Sequence, residues 1–219
     1  MRRLSTLLLA AAPLLPGPPA SGQSTFTLHG GPNRTMLAEI YEDTLIVVPR
    51  VPIVGMQASL GVSFRFTPPD AIYTFGVRVS GTYAQRGSAH EAIDHRILVR
   101  MHYMLVSVQY DMRFPFRWDR LTTNLVAGPA FGGMFFCDRQ FEDAGGAIYD
   151  TRPCRDGEFR KLDFALILGG NLELAVTDRL GITTGLQYHW GARDIENHVF
   201  TRMLNRTLAL QGGLVYHLR

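Results

Sequence analysis

The sequence predicts an all-β chain, eight antiparallel strands running up and down and closed into a barrel. Three observations carry this: apolar and polar residues alternate over long stretches, eight such stretches can be marked, and their connections are alternately long and short. The stretch "LGITTGLQYHWG", Leu180 to Gly191, sets the period. Ile182, Thr184, Leu186, Tyr188 and Trp190 fall on one side of an extended chain, and Thr183, Gly185, Gln187 and His189 on the other.

Taken in order, the predicted strands run over 25–40, 55–67, 71–86, 96–112, 121–137, 162–176, 179–191 and 204–218. In the second, Met56, Ala58, Leu60, Val62, Phe64 and Phe66 alternate with Gln57, Ser59, Gly61, Ser63 and Arg65. The third sets Tyr73, Phe75, Val77, Val79 and Tyr83 against Arg78, Ser80, Thr82 and Arg86. The sixth sets Leu162, Phe164, Leu166, Leu168, Leu172 and Leu174 against Asp163, Asn171 and Glu173. The fourth, "ILVRMHYMLVSVQYDMRF", breaks the alternation around "YMLV". A face change between Val99, Met101, Tyr103 and Val106, Val108, Tyr110 requires one extra residue, a β-bulge; a different register of the strand is the other reading. Short links such as "TPPD", "FPFRWDR" and "TD" fall at one end with both termini, and long ones such as "DRQFEDAGGAIYDTRPCRDGEFRK" at the other.

A soluble barrel hides its apolar face inside, whereas a membrane barrel turns it to lipid. Several segments run 13 residues or more, longer than ordinary soluble strands and enough to cross a bilayer at a tilt. Aromatic residues gather at the ends of the apolar faces, among them Phe64, Phe66, Tyr73, Phe75, Tyr110, Phe114, Phe116, Trp118, Tyr188, Trp190 and Tyr216, as girdles at membrane interfaces do. A soluble eight-stranded ligand carrier would explain the alternation but neither of these two features, so the expected fold is an eight-stranded antiparallel up-and-down transmembrane β-barrel.

The amino terminus, "MRRLSTLLLAAAPLLPGPPASGQS", has a basic start, an apolar run from Leu4 to Leu15 and small residues at Ala20 and Gly22. It reads as a secretory signal over 1–22, cleaved ahead of a barrel domain over 23–219; an uncleaved anchor is the other reading of the same run. The run is too short for a spanning helix. Without Arg2 and Arg3 the basic residues fall from 22 to 20 against 19 acidic ones, so the net charge falls from +3 to +1 and gives no reason to expect a nucleic-acid partner. Two cysteines, Cys137 and Cys154, sit close together in an exported chain. The segment between them has no histidine to complete a metal site, which leaves a disulfide as the expected state.

The carboxyl end, "QGGLVYHLR", with Gln211, Gly213, Tyr216 and Leu218, resembles the terminal signal by which outer-membrane barrels are presented to the barrel-assembly machinery, with Leu218 where an aromatic residue usually ends it. Further motifs are "GTYAQRGSA", "VRMHYMLVSVQYDMRF", "LVAGPAFGGMFFC", "LDFALILGGNLEL" followed by "LGITTGLQYHWGARDI", and "NRTLALQGGLVYHL". In this order, from about Gly30 onward, they resemble the PorT-type outer-membrane β-barrel family, porin-like small outer-membrane proteins. The resemblance implies location in the bacterial outer membrane, contact with its lipid and lipopolysaccharide, and assembly by the barrel machinery.

With the apolar face outward, the lumen is expected to collect Arg65, Arg78, Arg100, His102, Asp111, Asp163, Asn171, Glu173, Gln187, His189 and His217. An eight-stranded barrel is about wide enough inside for side chains to fill, and unpaired buried charge is costly, so these groups should pair and plug it. "HEAIDH" gathers His90, Glu91, Asp94 and His95, but Asp94 stands where a zinc-protease helix needs its second histidine; a solvated polar loop, in which nothing fixes ligand geometry, is the first reading and a loop metal site the other, and no metal or other cofactor is assigned. No nucleophile sits in a recognisable elbow, so no catalytic residue is assigned. Arg139, Arg152 and Arg155 in the outer connections could meet lipopolysaccharide phosphates; an ordinary soluble surface is the other reading of exposed arginines. The expected role is a non-catalytic structural or surface-interaction protein of the envelope, reaching a protein partner through its outer loops; a narrow pore or a lipid-modifying enzyme is the alternative.

Overall fold

The computed structural model describes residues 24–41, 47–49, 51–66, 73–91, 95–116, 120–155, 157–195 and 201–218. The segment read as a secretory signal, Asp94 and Trp118 lie outside the described residues. Among the described residues ten strands form one sheet: β1 (Ser24–Tyr41), β2 (Val47–Pro49), β3 (Ile53–Arg65), β4 (Thr74–Glu91), β5 (His95–Pro115), β6 (Leu121–Asp143), β7 (Ile148–Pro153), β8 (Leu162–Ala175), β9 (Leu180–Gly191) and β10 (Thr201–Leu218). Eight of them follow one another around a ring in the order β1, β3, β4, β5, β6, β8, β9, β10, and β10 pairs back onto β1. Every pairing is antiparallel. The two short strands add to the ends of long ones, β2 on β1 and β7 on β6.

Alternation in sequence becomes alternation in exposure. Along β9 every residue is exposed and buried in turn apart from the half-buried Gly185, and the apolar members Ile182, Leu186, Tyr188 and Trp190 are the exposed ones. The same holds for Leu162, Phe164, Leu166, Leu168, Leu172 and Leu174 on β8, while Asp163, Asn171 and Glu173 are buried. This is inverted relative to a soluble core. The apolar face forms a band around the outside of the ring, with Phe64, Tyr73, Phe75, Tyr110 and Tyr216 toward one border and Phe131, Phe164 and Trp190 toward the other. Outward residues on β10 run from Leu208 to Leu218. At about 3.3 Å per residue and a barrel tilt of about 40°, that stretch covers roughly 25 Å of height, that of the apolar band on outer-membrane barrels.

Ser24 and Leu218 are partners at one end of the ring, where the connections after β3, β5 and β8 also lie; this is the turn end, and the opposite one the loop end. The wall is uneven in height and tallest at β5 and β6. These have 21 and 23 residues, β1, β4 and β10 have 18 each, and β3, β8 and β9 have 13, 14 and 12. Two segments expected to be loops therefore hold much strand. "GSAHEAIDH" largely continues β4 and β5, and the long connection after Cys137 continues β6 to Asp143 and returns as β7, so Cys137 lies within a strand rather than at its end.

β5 corrects the expected face change. Val99, Met101, Tyr103, Leu105, Ser107, Gln109 and Asp111 are all buried, and Met104, Val106, Val108 and Tyr110 all exposed, with no interruption between them. What changes at "YMLV" is the content of the interior, apolar toward the loop end and polar toward the turn end. The register shift in this region belongs to β6: His102 pairs with Phe136 and Tyr103 with Met134, leaving Phe135 as the extra residue.

Candidate functional site

The interior of the ring is built in layers. Nearest the turn end, the Glu173 carboxylate of β8 accepts hydrogen bonds from Arg113 (2.7 Å) and His217 (2.8 Å) at Oε1 and from Asn124 (3.3 Å) at Oε2. Beside it Asp111 accepts from Arg78 (2.9 Å) and Ser63 (2.8 Å), and the Arg78 Nε donates to the same serine at 3.0 Å. Arg65 and His29 are buried at this level, and Asn171 is buried facing the same interior. Above lie hydroxyls and amides: Ser80 and Ser107 are 2.7 Å apart, and Gln109 donates to Ser107 at 2.9 Å.

The next layer is centred on Arg86, fully buried on β4. Its Nη1 is 2.5 Å from Asp163 Oδ2 on β8, its guanidinium lies 5.4 Å from the centre of the Tyr103 ring, and Asn205 donates to the same carboxylate oxygen at 3.0 Å. Arg86 Nη2 is 2.9 Å from His189 Nδ1. Guanidinium has no acceptor, so Nδ1 must accept; the imidazole proton then sits on Nε2 and is donated to Gln187 Oε1 at 3.0 Å. Gln211 donates to that same oxygen at 2.9 Å. The backbone beside Arg86 is unusual: Gly87 has φ +150°, and a Cβ there would meet the Val99 carbonyl oxygen at 1.8 Å. Strands β4 and β5 approach so closely here that only glycine fits.

Toward the loop end the interior turns apolar. Leu37, Ala84, Val99, Met101, Tyr103, Leu105, Phe159, Ile195 and Met203 form one buried cluster, with Met134, Cys137 and Cys154 packed against it. Phe159 comes from the segment between β7 and β8, which turns inward and is fixed by a bond from Arg160 N to Ile195 O of 2.7 Å. Cys137 and Cys154 are joined as a disulfide, with Cα atoms 5.4 Å apart.

Of the residues expected in the lumen, Arg65, Arg78, Asp111, Asp163, Asn171, Glu173, Gln187, His189 and His217 face the interior. Arg100 and His102 do not. They occupy the outward positions of β5, where His102 Nδ1 is 2.8 Å from the Tyr83 hydroxyl and its ring lies against Phe136 and Phe135 at 5.3 and 6.1 Å. The error has a physical source, because at that height β5 turns Val99, Met101 and Tyr103 inward, so the polar side of the strand is the outer one. Arg86, Arg113, Tyr103, Asn124 and Asn205 belong to the network but were not picked out. Arg86 carried a signal in its alternation with Val77, Val79 and Tyr83; the others depend on register between distant strands. The carboxyl-terminal residues divide by face: Gln211 is buried, Tyr216 and Leu218 point outward, and Gly213 packs on the Leu28 carbonyl. Of the arginines in the outer connections, Arg139 pairs with Glu158, Arg152 is exposed beside Asp150 at 2.6 Å, and Arg155 is exposed. His90, Glu91 and His95 are exposed at the tip of the β4–β5 hairpin.

No family model matches the chain, and no curated protein matches it. Solved structures do. A major outer membrane protein from Thermus thermophilus is similar with a TM-score of 0.50 at 11% identity, over 90% of this chain and 100% of that one. The fold is that of the small outer-membrane β-barrels. Neisserial surface protein A is similar with a TM-score of 0.47 at 12% identity, covering 87% of this chain and 96% of that one. The attachment invasion locus protein of Yersinia pestis, Ail, gives 0.45 at 14% identity, covering 90% and 99%. At such identities the likeness concerns architecture, and the chemistry has to be argued from the residues of this chain.

Proposed function

We propose that the chain is an integral protein of the bacterial outer membrane, a plugged, non-catalytic barrel that serves as a structural or surface-interaction component of the envelope, in the manner of the PorT-type family whose strand motifs it resembles. The observation that carries this reading is the continuity of the interior packing. The Arg86–Asp163 pair has no solvent exposure on either side chain, and the apolar cluster around Phe159, Ile195 and Met203 lies between it and the loop end. An ion would have to cross both layers, displacing a paired buried charge and entering an apolar plug. Outside, the apolar band supports burial in lipid, since its area far exceeds what a water-soluble monomer exposes. The turn end then faces the periplasm, and the tallest part of the wall, β5 and β6 with β7, stands on the cell surface, where a protein partner or lipopolysaccharide would meet it.

The test is electrical. Refolded protein in a planar bilayer should give no unitary current, and lipid in the same preparation should remain uncleaved. A stable conductance step from wild-type protein would replace this reading with a narrow pore, and lipid hydrolysis with an enzyme. Extraction gives a prior check: the protein should stay monomeric only in detergent or lipid, and its unheated gel band should migrate differently from the heated one.

A further inference from the structure

Between β6 and β8 the wall is incomplete at one height. β8 pairs with β6 as far as Gly133 opposite Leu162, and β7 takes over only at Asp138 opposite Pro153. Two backbone bonds bracket the interval, Met134 N to Lys161 O at 2.6 Å and Cys154 N to Cys137 O at 3.1 Å, together with the disulfide. The chain that would have filled it turns inward to place Phe159 in the plug. The bulge leaves two successive aromatic side chains, Phe135 and Phe136, exposed at 61% and 52% beside the gap. A cavity of about 310 Å³ results, walled by Met134, Phe135, Phe136, Phe159 and the two cysteines, with Arg155 and Lys161 also lining it. Lys161 directly precedes Leu162 and Phe164, which are outward and exposed, so the cavity opens at the loop-end border of the apolar band.

We propose that this cavity binds one anionic, phosphate-bearing lipid of the surrounding bilayer, an acyl chain against Met134, Phe136 and Phe159 and the phosphate between Arg155 and Lys161. The proposal rests on the reading of the chain as a membrane barrel. The wall combines two chemistries that a single simple ligand would not use. A free anion leaves the aromatic lining idle, an apolar molecule leaves the two cations without a ligand counter-charge among the described residues, and an amphiphile with an anionic head uses both. The carboxylate of Glu158, in the same segment, is already engaged by Arg139 and by the backbone N–H of Arg155. The height also fits, because a cation at the border of the apolar band lies where lipid phosphates do.

Lys161 is the single lysine of the chain, so an amine-reactive reagent read by peptide mass reports on this site alone apart from the amino terminus. The protein is held in zwitterionic micelles doped with phosphatidylglycerol or with phosphatidylcholine. Phosphatidylglycerol should slow acylation of Lys161 about tenfold, and phosphatidylcholine should leave it unchanged. Arg155→Ser, at an exposed position, should weaken the protection, and Met134→Trp, which fills the cavity, should remove it. Equal protection by both lipids, undiminished protection in Arg155→Ser, or equal protection by soluble glycerol phosphate would overturn the proposal, the last by showing a phosphate site without a lipid. If Met134→Trp loses its heat-dependent gel shift, Arg155→Ser decides. A detergent-free monomer would remove the membrane reading and the proposal with it, whereas a barrel that shifts on heating but leaves Lys161 unprotected would remove the proposal alone.

Discussion

Arg86 on β4 and Asp163 on β8 meet at 2.5 Å inside the ring, although three strand pairings separate them along the wall and neither side chain is exposed. The pair ties distant parts of the barrel together through its interior.

Removing one member should therefore cost more than removing both. Arg86→Leu leaves the Asp163 carboxylate buried without its cation, at an expected loss of about 3–5 kcal/mol. The double variant Arg86→Leu, Asp163→Leu should unfold at higher denaturant than the single variant. Urea unfolding in lipid, followed by the gel shift, measures the order; a double variant no more stable than Arg86→Leu would mean that the ion pair is not what the site depends on.

Charge reversal separates interior from rim. Glu173→Lys places a cation beside Arg113 and His217, at a position only 1% exposed, and should destabilise by several kcal/mol. Glu91→Lys removes a contact to Arg96 at 3.7 Å from a side chain 60% exposed, and should shift stability by no more than about 0.5 kcal/mol. Equal unfolding midpoints for the two variants would contradict a paired interior.

Two glycines in the same strand should respond oppositely to alanine. Gly87→Ala drives a Cβ into the Val99 carbonyl and should cost at least about 2 kcal/mol. Gly81→Ala meets nothing within 4 Å and should be neutral or slightly stabilising. Heat-dependent gel shift of the two variants side by side reads the difference.

Mass spectrometry after thiol alkylation should find no free cysteine in protein from envelopes, and two after reduction. The bond closes a sequence separation of 17, which the chain-entropy description converts to about 3 kcal/mol of stabilisation. Two alkylated cysteines before reduction would show the bond to be absent.

How much of this was legible in the sequence follows from what each feature depends on. The strands were, because side-chain period is local: the alternation in "LGITTGLQYHWG" needs no knowledge of its neighbours. The face of Arg100 and His102 was not, because the rule that polar means inward fails where the loop-end interior is filled by Val99, Met101 and Tyr103. Nor could Arg113 and His217 be assigned to Glu173, since one residue of register on β5 or β10 would turn either away. The gap beside Phe135 was invisible for a similar reason. A bulge is a mismatch between two strands, and neither strand carries it alone.

The seam between β1 and β10 runs from Ser24 opposite Leu218 to Tyr41 opposite Thr201, so the first strand of the barrel waits for the last. Contacts this distant along the chain form late, because the intervening loop must be ordered before they repay it. Until then β1 and the most recently added strand each present an open edge able to pair with another chain. A chain ended just before Leu208 would keep only the loop-end part of the seam, from Thr35 to Tyr41, and would lose the pairs made between Ser24 and Arg34. Aggregation is then the expected fate of such a truncated chain unless another molecule holds its edges apart.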